Sequence, residues 1–141
     1  MGYDVHITRA EEWHESEATP ITLDEWLAYV ASDPEMRLDG FAEARNPKTG
    51  EIIRIESPGL SVWTAYSGGT AWMDHLCGKI VVKNPDSAIL RKMCAIAERL
   101  GARVQGDEGE MYPEAMDLLR EAEDLRLRWS KLPWWKRLFG R

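Results

Sequence analysis

Between residues 41 and 83, glycine, proline or asparagine interrupts the chain every few positions, and the pieces left between the breaks are strand-like. They run GFAEAR, EIIRIE, PGLSVWTAY, a further strand after SGG, and GKIVVK. The turn NPKTG, from Asn46 to Gly50, puts proline and glycine where a hairpin connection needs them. Short links of this kind join antiparallel neighbours. A meander is the simplest arrangement.

The flanking segments supply the rest of the fold. YDVHITRA alternates Tyr3, Val5 and Ile7 against Asp4, His6 and Thr8, the pattern of a half-buried strand. PITLDEWLAYVAS carries a capping box, Thr22 with Glu25, and a hydrophobic staple, Ile21 with Trp26, so a helix begins near Leu23 and Pro34 ends it. In NPDSAILRKMCAIAERLG, Ile89, Met93, Ile96, Ala97 and Leu100 share one helical face, and Gly101 stands as the C-cap. ARVQG returns as a short strand. Pro113 then opens a last helix with the stripe Ala115, Leu118, Leu119, Ala122, Leu125, Trp129. The coarse order is β-α-β-β-β-β-α-β-α, which predicts an α+β fold, a largely antiparallel sheet with helices packed on one face.

At 141 residues and 44% hydrophobic content the chain fits one core, assigned to residues 1–132, followed by a basic aromatic tail at 133–141. Two cysteines, Cys77 and Cys94, are too few for a disulfide framework, and no signal peptide precedes RAEEWHESE, so the expectation is a cytoplasmic protein with free thiols. No apolar run approaches the roughly 20 residues that span a bilayer. Charge is uneven: from Arg126 onward there are six bases and no acid, which leaves 12 of the 18 bases against all 24 acids in the first 125 residues, a net of -12 there. Such a body repels nucleic-acid phosphates and attracts a basic partner.

No complete catalytic or ligand-binding motif is present. The acids of ARVQGDEGEMYPEA, Asp107, Glu108 and Glu110, lie between a strand and a helix start, where glycines supply turn angles and a helix dipole favours negative charge. The run is too short for an EF-type calcium loop. A zinc site wants spaced ligand pairs, and His75 with Cys77 makes one incomplete pair. YSGGTAW lacks the Lys and Ser/Thr of a phosphate-binding loop, and Cys94 flanks the apolar helix face as a small hydrophobe. No metal or cofactor is expected.

Seven tryptophans need an account. Trp26 and Trp129 belong to core stripes. Leu60, Val62 and Tyr66 share one strand face, which puts Trp63 on the other with Ser61 and Ala65; Trp72 shares its parity with Asp74. Aromatic groups beside acids make an adhesive surface, unless a helix covers it. The tail KLPWWKRLFGR interleaves Trp134, Trp135, Leu138 and Phe139 with Lys136, Arg137 and Arg141, a composition suited either to a membrane interface or to folding back beside the acidic body.

The phrases MGYDVHITRAEEW, PITLDEWLAYV and GARVQGDEGEMY resemble those of a group of small bacterial proteins, some encoded near toxins and regarded as immunity proteins. The resemblance implies a cytoplasmic protein that binds and blocks a partner, and it carries over no catalytic residues. The leading expectation is therefore neutralisation of a toxin, such as a basic nuclease domain, by surface complementarity. Partner contacts are expected at Asp107, Glu108 and Glu110 first, with Trp72, Asp74 and Tyr66 as companions. Two other readings stay open: a small enzyme or metal-dependent protein combining Asp74, His75 and Cys77 with the 107–110 loop, and a peripheral membrane adaptor acting through the tail.

Overall fold

The computed structural model describes residues 3–114. The final helical stripe from Ala115, the second part of the 1–132 assignment and the 133–141 tail lie outside the described residues. In chain order the elements are β1 (Asp4–Thr8), a 3-10 turn (Trp13–Ala18), α1 (Leu23–Ser32), β2 (Met36–Leu38), β3 (Phe41–Arg45), β4 (Ile52–Glu56), β5 (Ser61–Trp63), β6 (Trp72–Leu76), β7 (Lys79–Lys83), α2 (Ser87–Leu100), β8 (Arg103–Gly106) and β9 (Met111–Tyr112). Seven strands form one sheet in the order β2-β5-β6-β7-β1-β8-β9 with every neighbour antiparallel, while β3 and β4 make a separate hairpin. The α+β class and the antiparallel sheet are as expected. Six strands lie between the helices: the five segments read from the sequence, which the coarse order condenses to four, and β2, whose three residues are too few to show a period.

Local chemistry sets the helices. Thr22 Oγ1 accepts from the Glu25 N–H at 3.1 Å and the Glu25 side chain accepts from the Thr22 N–H, closing the capping box. Ile21 and Trp26, the staple pair, are both fully buried, and the Trp26 indole N–H donates to the Gly59 carbonyl at 2.7 Å. Asp86 caps α2 by accepting from the Ile89 N–H, and Gly101 ends it in the left-handed conformation at φ 62°.

Both helices lie on the same side of the sheet. Trp26, Tyr29 and Val30 of α1 and Ile89, Leu90, Met93, Ile96 and Ala97 of α2 close over Val5, Ile7, Met73, Ile80, Val82 and Val104. Burying each of the larger side chains stabilises the fold by about 1.5–3 kcal/mol. Lys92 of α2 ties the two helices together, donating to Asp33 at 2.8 Å and to Glu35 at 2.9 Å just past the end of α1.

Two face assignments differ from the sequence pattern. His6 and Thr8, on the polar side of β1, are buried, because the 3-10 turn lies over them: the Trp13 ring stacks on His6 at 4.4 Å, and Thr8 shares a 2.6 Å hydrogen bond with Ser16. In β5 it is Ser61 and Trp63 that face the helices, opposite Met73 and Met36, while Val62 pairs with Trp72 on the outer side. Tyr66 belongs to no strand, since β5 ends at Trp63, and it packs on the Trp63 ring at 5.8 Å.

Two outcomes follow from these packings. Trp26→Ala should cost about 3–5 kcal/mol in urea denaturation, against about 1 kcal/mol for Thr22→Ala. Burial alone would raise the Asp33 carboxyl, but hydrogen bonds from Lys92, the Tyr29 hydroxyl and the Glu35 N–H outweigh it and hold the carboxyl down to about 2. A depressed folded value contributes stability that is present above the ordinary 3.8 and is lost as pH falls toward about 2. Lys92→Met should flatten that acid limb; an unchanged slope in urea midpoints between about pH 5 and about pH 2 would contradict the assignment.

Candidate functional site

The helix-free face of the sheet is covered over one half. Above β1 and β8 the 3-10 turn is held by Gln105, whose Oε1 accepts from the Trp13 N–H at 2.7 Å, and by the Trp13 indole N–H, which donates to the Asp107 carbonyl at 3.3 Å. The chain then passes the end of the sheet, where the Ile21 N–H donates to the Gly78 carbonyl at 2.9 Å, and enters α1 on the helix side. The turn does not reach β6, and there the outer face carries Trp72 at 43% and Leu76 at 46% exposure.

Over this bare half leans the β3–β4 hairpin. Cross-strand pairing puts Ala42 opposite Ile55 and Ala44 opposite Ile53, so one hairpin face is wholly apolar. The other face is charged: Arg54 sits 4.0 Å over the Phe41 ring and pairs with Glu43 and Glu56, each at 2.9 Å. The base is fastened by backbone bonds from Asp39 and Gly40 to the Leu60 carbonyl and from Ser57 to the Gly40 carbonyl, and by Ser57 Oγ donating to Asp74 Oδ1 at 2.7 Å. Gly40 takes φ 75°, a left-handed angle that glycine adopts without strain.

Hairpin and sheet enclose an open groove of about 320 Å³. Ala42, Ile55 and Leu60 line one side, Trp72, Leu76 and Val81 the other, and Asp74 and Lys83 are the charged groups in its lining. Ile52, Ile53 and Ile55 are 53%, 58% and 62% exposed. Ile53 and Ile55, two residues apart and so on one strand face, are the sequence signal for this surface, while the adjacent Ile52 lies on the charged face.

The acids of the 107–110 loop divide by role. Asp107 Oδ2 accepts from the Asp4 N–H at 2.9 Å and Oδ1 pairs with His6 Nε2 at 2.8 Å, so this side chain closes the loop onto β1. Burial pushes its carboxyl up, but those hydrogen bonds prevail and hold it below the usual range. Glu110 is gripped by the hydroxyls of Tyr3 and Tyr112 and lies against Gly106, where a Cβ would collide with its carboxylate. Burial first, then the Glu110 carboxylate, push the Tyr112 phenol up to about 12. Glu108 is exposed, with its side chain in no hydrogen bond or ion pair among the described residues.

The companions fall unevenly around this loop. Continuing the printed register, Trp72 comes beside Lys83, which aligns with Asp4, so Trp72 and Asp107 share one end and one face of the sheet, about 14 Å apart at three strand spacings, whereas Glu108 and Glu110 line a pocket with Tyr3, Val5 and Leu90 on the helix side. Tyr66 donates to Asp86 at 2.6 Å, beside the start of α2. Asp74 and His75 lie on opposite faces: His75 donates to the Ile21 carbonyl at 2.6 Å on the helix side, and Cys77 sits exposed in the β6–β7 turn. Asp74, His75 and Cys77 therefore form no common pocket with the 107–110 loop. Among the described residues no three His, Cys, Asp or Glu side chains are placed to hold a metal ion.

Separating the loop's structural acids from its free one gives a direct expectation. Asp107→Asn should destabilise by about 1–2 kcal/mol, whereas Glu108→Gln should stay within about 0.5 kcal/mol of the parent in thermal or urea unfolding. Equal effects would contradict the division.

No protein-family model, no curated protein and no solved structure matches this chain.

Proposed function

We propose that this chain is a protein-binding domain that neutralises a cognate toxin by occupying its surface, acting in the cytoplasm as an immunity protein does. One observation carries the reading: Trp72, Leu76 and Ile55 stand exposed together around a single groove, with Ile53 next to Ile55 on the same hairpin face. Monomeric domains rarely leave large apolar side chains clustered in solvent unless the cluster meets a partner. Tryptophan is also among the residues that most often dominate binding energy.

The charge of residues 1–125, -12 from 12 bases and 24 acids, supplies the second ingredient. Negative potential of this size accelerates encounter with a basic domain and disfavours nucleic acid as the partner. Glu108 at the loop tip adds to that field without a competing internal partner among the described residues.

The test is co-expression with the product of an adjacent toxin-like gene. Growth should be rescued, the two proteins should co-purify, and the association rate should fall about tenfold or more between low and physiological salt. Absence of both rescue and co-purification would refute the proposal.

A further inference from the structure

We infer that the groove between the β3–β4 hairpin and β6 is the docking surface, and that it takes an extended protein segment in which a lysine or arginine stands between apolar residues. The inference rests on the protein-binding reading above and adds to it the surface and the chemistry recognised.

Both walls are apolar, Ala42, Ile55 and Leu60 facing Trp72, Leu76 and Val81, so the sides of an incoming segment must be apolar too. The polar requirement is set by Asp74. Its Oδ1 accepts from Ser57, and no other hydrogen bond or ion pair to its carboxylate is present among the described residues. Lys83 lines the same groove without pairing to it. A carboxylate between apolar walls is best met by a cationic head carried on an apolar stem, which is the build of lysine and arginine. An acidic segment would meet this carboxylate and the net -12 of residues 1–125 together.

The hairpin suits an extended guest. β3 and β4 pair with each other and with no further strand among the described residues, so their outer edges keep free N–H and C=O groups. Such edges accept an added strand, with side-chain pockets supplying selectivity.

The experiment is an NMR titration of the full chain with a nine-residue peptide of alternating valine and phenylalanine around one arginine. Matched peptides carry citrulline or glutamate at the centre. Shifts confined to Ile53, Ile55, Trp72 and Leu76 are expected, with the arginine peptide binding about tenfold more tightly than the citrulline one. Asp74→Asn, which keeps an oxygen for Ser57, should abolish that difference. Shifts mapping to another surface, equal affinity for all three peptides, or an arginine preference that survives Asp74→Asn would each overturn the inference. So would contacts from the groove to residues 133–141 of the same chain, concentration-dependent shifts without peptide that reveal a second copy, or groove signals moved by anionic vesicles instead. Peptide failure with toxin rescue intact removes this docking surface alone; loss of rescue and co-purification removes the functional reading itself.

Discussion

An interior strand of the sheet, β1, must be sealed on both faces, and the way each face is sealed decides which surfaces remain for binding. Toward the helices, Val5 and Ile7 go under α2 and join the main core. Away from them, His6 and Thr8 cannot stay wet, since the chain folds Trp13 flat on His6 and sets Ser16 against Thr8. Gln105 and Asp107 then tie that cover to β8, so the loop after β8 inherits its shape from the sealing of β1. A six-residue turn covers little more than two strands. Beyond β7 the same face is left bare.

That asymmetry gives the molecule its most distinctive surface. A hairpin that could have extended the sheet instead stands off it, apolar on one face and ion-paired on the other. Isolated two-stranded hairpins are marginal in water. This one is steadied by Arg54 across Phe41 and by the Ser57–Asp74 bond at its base, so the isoleucines need not be buried to hold its shape. Exposed apolar area retained on a braced element is the arrangement expected of a binding surface, because little ordering cost remains when the partner arrives.

The sequence carried the parts of this fold that depend on neighbours along the chain. Thr22 with Glu25, Ile21 with Trp26, the stripe of α2 and the Gly101 cap are local devices, and each appears where its residues place it. Local pattern misleads where distant segments decide. The alternation of β1 is real, yet its polar side is buried, because what covers it arrives from residues 13–18. Likewise β2 is three residues long and becomes a strand through its pairing with β5. For the site, the parity of Trp72 with Asp74 was legible, as was the turn NPKTG, but not the detachment of the hairpin from the sheet. The loop acids looked alike in sequence; long-range hydrogen bonds to Tyr3, Asp4 and His6 make Asp107 and Glu110 internal supports and leave Glu108 free among the described residues.

The central claim is that the protein works through the bare outer half of its sheet. Site-specific photocrosslinking in growing cells tests it most directly, with a photoreactive residue placed in turn at Ile53, at Trp72 and, as a control, at Glu98 on the exposed side of α2. The account predicts one shared, basic protein adduct from the first two positions and none from the third. Adducts to that protein from Glu98 alone, or from all three positions equally, would contradict it.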